Sequence, residues 1–350
     1  MEYRLSDIID LLSIAGICFL IALAWTPFLI RWLKRRKMGK SIRDAAAAPV
    51  MAHLHAAKAG TPTMGGLVIW VTVAVVALAF HYSCAWLGWS AVCRLDFLSR
   101  SQTLLPLGAL MAAALVGLLD DYLNIRKIGP KGGGLRMRHR LFSYTLIALA
   151  AAWWFYSKLD WDVVHIPFNG NIPLGLWYIP FFAFVIVATS FSVNETDGLD
   201  GLAGGALLAA FGSFGVIAFA QGKVDLAIFC TAIFGALMAF VWHNITPAAF
   251  FMGDTGAMAL GTVLGVVAML TNQPLLLPLI GLPFVIESAS VLLQVVSKKL
   301  RHGKKIFKSS PLHHHLEAVG WGEPKIVMRF WIISFVCAAI GTVMALIDSL

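Results

Sequence analysis

"LLPLGALMAAALVGLLDDYLNIRKIGPKGGG", Leu104 to Gly134, opens as an apolar run, ends that run on two adjacent carboxylates, Asp120 and Asp121, and continues into a basic, glycine-rich loop. A run near the ~20 apolar residues that cross a bilayer is a candidate transmembrane helix. Ten such runs follow one another, at 9–33, 64–83, 103–119, 140–157, 174–193, 199–220, 224–243, 256–272, 275–297 and 329–347. Of the 350 residues, 59% are hydrophobic and 13% charged; the mean hydropathy is +0.81, far from an ordinary soluble domain. The fold expected is therefore all-α, a polytopic integral membrane helical bundle of about ten transmembrane helices. No fixed-period repeat and no Pro/Ser linker divides it, so residues 1–350 read as one integral-membrane domain.

Lys and Arg accumulate in loops that stay cytoplasmic. Most of the 27 basic residues fall after the first, third and ninth runs, in the clusters Arg31 to Lys58, Arg126 to Arg140 and Lys298 to Arg329. This pattern predicts both termini on the outer, periplasmic side. The first run carries its positive charges behind it, lacks a basic segment in front, and reads as a retained anchor rather than a cleaved signal. The net charge of +9 is then a topology signal, and with no basic soluble domain to carry it, no nucleic-acid partner is expected. Cys18, Cys230 and Cys337 lie in apolar runs as small hydrophobes. Cys84 and Cys93 share an outward loop, where they pair only if that side is oxidising.

Set against this topology, Asp120, Asp121, Asp197, Asp200, Asp254, Glu317 and Glu323 all fall at the cytoplasmic face, and Glu287 alone sits well inside a run. An ion-coupled secondary transporter would need carboxylates near the bilayer midplane. Acids gathered at one interface suit chemistry between a water-soluble molecule and a lipid-dissolved one.

Each polar motif has a plain alternative. Asp120 and Asp121 read as a solvated helix end, or as a cation site, since a helix C-terminus disfavours two carboxylates unless a cation joins them; Mg²⁺ takes a few carboxylates plus phosphate oxygens. "NETDGLDGLAGG" spaces Asn194, Asp197 and Asp200 three apart on one helix face, or supplies an ordinary Asp cap. "HNITPAAFFMGDTGAMALG" puts Asn244, Phe251 and Asp254 in one inward turn; Asp254 caps the eighth helix or joins the acidic site, and Phe251 offers a stacking surface for a base. In "KSSPLHHHLE" three adjacent histidines point about 100° apart on a helix and cannot readily share one tetrahedral zinc. With Ser310 as N-cap and Pro311 as first helical residue, His313, His314 and His315 occupy a helical first turn, which attracts phosphate. Bare carboxylates about 4 Å from a phosphate repel it by roughly 4 kcal/mol at an effective dielectric near 20. A cluster of acids therefore receives a pyrophosphate only with a cation present.

"GTPTMGG" (60–66), "LLDDYLN" (118–124), "TDGLDGLA" (196–203), "FFMGDTGAMALG" (250–261), "SPLHHHLE" (310–317) and "RFWIIS" (329–334) together resemble the polyprenyl-phosphate N-acetylhexosamine-1-phosphate transferase superfamily over nearly the whole chain. The histidine motif followed by "GWGEPK" is similar to the phospho-N-acetylmuramoyl-pentapeptide transferase branch more than to the sister GlcNAc-1-phosphate branch. The resemblance implies Mg²⁺-dependent transfer of phospho-MurNAc-pentapeptide from UDP-MurNAc-pentapeptide to undecaprenyl phosphate in the bacterial inner membrane, with the active site facing the cytoplasm. It implies Asp120, Asp121, Asp254 and His313 as catalytic residues, with Asp254 holding the metal. Lys58, Thr63, Lys131, Asn194, Asp197, Asp200, Asn244, Phe251, Gln294, His314 and His315 match positions lining the nucleotide-sugar cleft. Two features depart from the pattern: Glu195 stands where an apolar residue is expected, and the outward loop 81–102 is long. Glu287, four residues after Pro283, is expected to mark a bend in the ninth helix that opens a lipid groove for the polyprenyl tail. Nothing in the sequence selects between a monomer and a homodimer.

Overall fold

The computed structural model describes residues 5–39, 58, 60–99, 102–130 and 133–349. Each apolar run falls on a helix: α1 (Leu5–Arg35), α2 (Leu67–Leu87), α3 (Leu104–Ile125), α4 (Met137–Lys158), α5 (Tyr178–Thr196), α6 (Leu202–Ala220), α7 (Val224–Asn244), α8 (Asp254–Leu270), α9 (Leu282–Leu300), and, after the short α10 (Leu312–Ala318), α11 (Glu323–Asp348). Seven helical stretches, those of α1, α2, α3, α5, α6, α7 and α11, are long and apolar enough to cross a membrane.

Burial sorts the helices by position. Every residue of α8 from Thr255 to Leu270 is buried, and it packs on α3, α5, α6 and α2, so this 17-residue helix is the axis of the bundle. Helices α1, α4 and α11 instead expose Leu12, Leu20, Phe28, Phe142, Leu146, Trp153, Ile332 and Val336. That apolar outer jacket is what a lipid solvent requires. Inside, small residues let backbones approach: a Cβ on Gly117 would lie 2.4 Å from the Asp254 carbonyl oxygen, and one on Gly235 would lie 2.1 Å from that of Ala15. The Thr255 hydroxyl donates to the Ala114 carbonyl at 2.8 Å and accepts from the Trp70 indole at 3.2 Å, joining α8 to α3 and α2.

Three local expectations are corrected. The chain is not purely helical: Val163–Ile166 (β1) pairs antiparallel with Gly170–Pro173 (β2) in a small hairpin joined by the three-residue turn Pro167, Phe168 and Asn169. The run 103–119 stops short, because α3 continues to Ile125 and takes Asp120 and Asp121 into its buried face. The ninth run breaks at Gly281, between a single turn at Leu277–Ile280 and α9, rather than bending at Pro283, which sits at the start of the new helix.

The two ends of the bundle differ. At one end Arg94 holds Asp10 of α1 at 2.9 Å, Cys84 and Cys93 are disulfide-bonded, and the hairpin joins Asn272 and the α11 residue Asp348 through His165. The start of α1 and the end of α11 therefore lie at this end. The motif loops lie at the other.

Candidate active site

Adjacent residues on a helix diverge by about 100°, so Asp120 and Asp121 cannot do the same thing. Asp121 turns toward α8: its Oδ1 accepts the Asp254 amide and its Oδ2 the Thr255 amide, both at 3.1 Å. These are the first N–H groups of α8, which has no cap of its own at Gly253. A carboxylate from α3 thus caps α8 across the bundle, which corrects the reading of Asp254 as that cap. Gly253 makes the junction possible. Its φ of +73° suits glycine, and a Cβ there would lie 2.5 Å from Asp121 Oδ2 and 2.8 Å from Thr63 Oγ1.

Asp120 turns the other way. Its Oδ1 accepts the Leu135 amide, so the glycine-rich loop that puzzled the sequence folds back over this carboxylate. Its Oδ2 lies 3.1 Å from Arg140 Nε, and Arg140 Nη1 lies 2.9 Å from Asp254 Oδ2. The other Asp254 oxygen accepts the Asn194 amide at 2.8 Å. Four segments therefore converge: α3, the first turn of α4, the end of α5 and the start of α8. Asp120 is 2% exposed, whereas the Asp254 side chain is 18% exposed. A cation joining these acids was expected; the one observed is a guanidinium. Arg140 was read from sequence only as a topology charge, and no spacing tied it to Asp120, twenty positions earlier.

The surrounding polar residues separate into two groups. Phe251 is half-buried beside Phe250, which is wholly buried against Phe240. Thr63 is buried against Gly253, and Asp197 is half-buried at the C-cap of α5.

Others have their polar atoms engaged in holding the fold. Asp200 accepts from Lys58 Nζ at 2.7 Å and from the Ala248 amide at 3.0 Å, while Lys58 also pairs with Glu323. Asn244 accepts the Gly201 amide at 2.9 Å and donates to the Phe250 carbonyl at 2.8 Å. The Gln294 amide is taken up by the backbone of Ile306 and Phe307. These three side chains hold neighbouring segments together, Asp200 and Asn244 joining the α5–α6 turn to the α7–α8 loop and Gln294 anchoring the loop after α9. Lys131 lies outside the described residues.

The histidine motif differs from expectation in detail. Pro311, not Ser310, is the N-cap, and α10 has only seven residues. His313 is wholly buried, its Nδ1 3.0 Å from Glu287 Oε2, and a Cβ on Gly198 would lie 2.1 Å from its Nε2. His314 Nδ1 lies 2.8 Å from Glu317, and His315 Nδ1 accepts the Lys308 amide at 3.2 Å. Glu287 is itself wholly buried, so this side chain does not line the lipid groove expected beside it.

Among the described residues no group of three or more His, Cys, Asp or Glu has the geometry to hold a metal. The donor set still suits Mg²⁺, which ordinarily takes one or two carboxylates and completes its shell with phosphate oxygens and water. Asp254 and Asp120 supply such oxygens, one of each now paired with the Arg140 guanidinium in the place a cation would take. Both oxygens of Asp121 are occupied by amides.

Comparison with known proteins agrees with this architecture. The Glycosyl transferase family 4 profile matches residues 103–272, and the phospho-N-acetylmuramoyl-pentapeptide-transferase signature 1 matches residues 58–69. Similar curated proteins include the phospho-N-acetylmuramoyl-pentapeptide-transferases of Chloroflexus aurantiacus, 38% identical over 97% of this chain and 91% of that one, and of Bacillus anthracis, 40% identical over 95% and 96%. The protein of Bacillus cereus is 40% identical over 95% of this chain and 96% of its own length. With identity at this level from end to end, and with the carboxylate cluster assembled from the shared motifs, the chain belongs to the phospho-N-acetylmuramoyl-pentapeptide-transferase family.

Proposed function

We propose that the protein transfers phospho-MurNAc-pentapeptide from UDP-MurNAc-pentapeptide to undecaprenyl phosphate, yielding lipid I and UMP, the first membrane step of peptidoglycan synthesis. The observation that carries this reading is the meeting of Asp120 and Asp254 on Arg140, at the end of the bundle where Asn194, Phe251 and the histidine helix also gather. Fixed positive charge between two acids suits a pyrophosphate donor, because phosphoryl transfer depends mainly on positioning and charge stabilisation.

A phosphate monoester has its second pKa near about 6, so the lipid phosphate is largely dianionic at neutral pH. One of its oxygens attacks the phosphorus bonded to MurNAc. The P–O bond to UMP breaks, and its electron pair leaves with UMP. Asp120, held by Arg140 and the Leu135 amide, positions the attacking phosphate and accepts any residual proton. This one-step course is preferred over a covalent aspartyl intermediate on Asp254, and recovery of a phosphoryl-enzyme linked to Asp254 would overturn it. Mg²⁺ is part of the proposal: Asp254, with Asp120 beside it, would hold the ion, which would supply positive charge against the pyrophosphate.

Three further helices, α4, α8 and α9, cross with the seven long apolar ones to make ten spans. Both termini face the periplasm and the site faces the cytoplasm of the inner membrane. Two independent features support this orientation: basic residues crowd the site end, and the Cys84–Cys93 disulfide lies at the other, where an oxidising compartment sustains it. UMP release in detergent tests the function directly. UDP-MurNAc-pentapeptide with undecaprenyl phosphate and Mg²⁺ should release UMP, and UDP-GlcNAc should not; the reverse preference would reassign the donor.

A further inference from the structure

The three consecutive histidines do not present the same atoms. A carboxylate only accepts hydrogen bonds, so a ring nitrogen facing one must carry the proton. His313 Nδ1 faces Glu287 and His314 Nδ1 faces Glu317, which puts a proton on Nδ1 of both. His315 Nδ1 accepts the Lys308 amide and therefore has no proton, so its Nε2 carries one.

His313 is the most constrained of the three. The Glu287 carboxylate receives both its backbone amide, at 3.2 and 3.3 Å, and its ring Nδ1–H, at 3.0 Å, and both side chains are wholly buried. This fixes the position of α10 on α9 and the rotation of the ring together. Nε2 is then pressed toward Gly198, and it is buried with no hydrogen-bond partner. Gly198 lies between Asp197 and Asp200, one turn beyond Asn194, whose amide holds Asp254.

A buried carboxylate with two donors from one residue, and a ring nitrogen left over on the side of the acidic cluster, do not describe a lipid-facing group. We propose that Glu287 is a positioning residue of the transfer reaction, acting through His313: it locks the proton on Nδ1 and leaves the Nε2 lone pair as the acceptor for a hydroxyl or amide N–H of the nucleotide-sugar donor. The inference rests on the transferase reading for the identity of that hydroxyl or amide group, while the proton assignment stands without it. Such carboxylate–histidine pairs tune the ring's far nitrogen, and losing the carboxylate commonly costs about 10- to 100-fold in the function the ring serves.

The test combines spectra and kinetics on the full chain in detergent. With ¹⁵N-histidine labelling, the His313 signals, identified by their loss in His313→Gln, should show a protonated Nδ1. In Glu287→Gln they should shift toward the other tautomer or a mixture, because a glutamine can donate where the glutamate only accepts. Kinetically, Glu287→Gln should lower kcat/KM for UDP-MurNAc-pentapeptide by about 10- to 100-fold, with Glu287→Asp retaining part of it. In a His313→Gln background the Glu287→Gln change should cost nothing further.

An additive loss in that background would mean that Glu287 serves packing alone, and an unprotonated Nδ1 in the wild type would overturn the proposal outright. If Glu287→Gln does not fold, Glu287→Asp carries both measurements, with a smaller shift expected. Absence of UMP release by the wild type would sink the transferase reading and leave the spectral result to decide the positioning role.

Discussion

The bundle's two ends use the same chemical groups to opposite effect. At the end carrying the start of α1 and the end of α11, Arg94 meets Asp10, Lys223 reaches the Leu270 carbonyl at 2.7 Å, and His165 ties the hairpin to Asn272 and Asp348, with no two acids brought together on one cation. At the other end Asp120, Asp254, Arg140 and Asn194 come from four segments and meet at one point. Charge at a helix end is ordinary. Convergence of acids from segments more than a hundred residues apart, at a point left partly open, is what marks a site.

The largest effect expected from this contrast is at the convergence itself. Asp254→Asn should lower the rate of UMP release by about 10²- to 10⁴-fold, the range for a displaced catalytic charge, with Asp120→Asn similar. Thermal unfolding in detergent should stay near that of the parent, since neither oxygen of Asp254 caps a helix. A large thermal shift with modest kinetic loss would make Asp254 structural and erase the distinction between the ends.

Asp121 divides the site more finely. In the proposed reading Asp120 and Asp254 carry the chemistry, whereas both Asp121 oxygens hold the N-terminus of α8. Asp121→Ala leaves two buried amides without an acceptor, and bonds to a charged group contribute about 1.5–3 kcal/mol each. The expected result is a loss of roughly 3 kcal/mol of stability, with the kinetic loss following from displacement of Asp254. Asp121→Asn, which keeps one acceptor, should recover part of the stability. Equal thermal stability of Asp121→Ala and the parent would refute the capping role.

This division also shows what a linear sequence conceals. The helix positions were readable because a bilayer imposes one solvent on each apolar run, and length with hydropathy suffices. The acids of the site were readable because so many gathered at one face. Which partner a given polar atom takes was not, since that depends on packing: Asp200 meets Lys58 and the Ala248 amide, and Asn244 meets the Gly201 amide and the Phe250 carbonyl. Arg140 escaped notice for the same reason. Its pairing with Asp120 and Asp254 depends on how α4 packs beside α3 and α8. The hairpin escaped because four-residue strands carry too little alternation to stand out from a loop.

At the opposite end the expected effects fall on stability alone. Replacing Cys84 and Cys93 by serine removes a short closed loop from the unfolded chain's constraints, which chain entropy values at about 2–3 kcal/mol. UMP release should be unchanged at temperatures where the variant stays folded. A drop in the rate at those temperatures would mean that the outer loop communicates with the site across the bundle.

Arg94→Ala should do least. Its guanidinium binds Asp10 through two nitrogens and also reaches the Ser6 carbonyl at 3.2 Å, yet its side chain is half exposed. Solvent screens such a pair, and exposed pairs contribute from nothing to about 1 kcal/mol. The comparison with Arg140 is then between two arginines that each hold carboxylate on another helix. Arg140→Ala removes the charge between two buried or half-buried acids and should cost far more activity than Arg94→Ala costs in any measurement. Similar small effects for both would mean that the acids at the site tolerate one another without a cation, and the electrostatic reason for expecting one would fall with it.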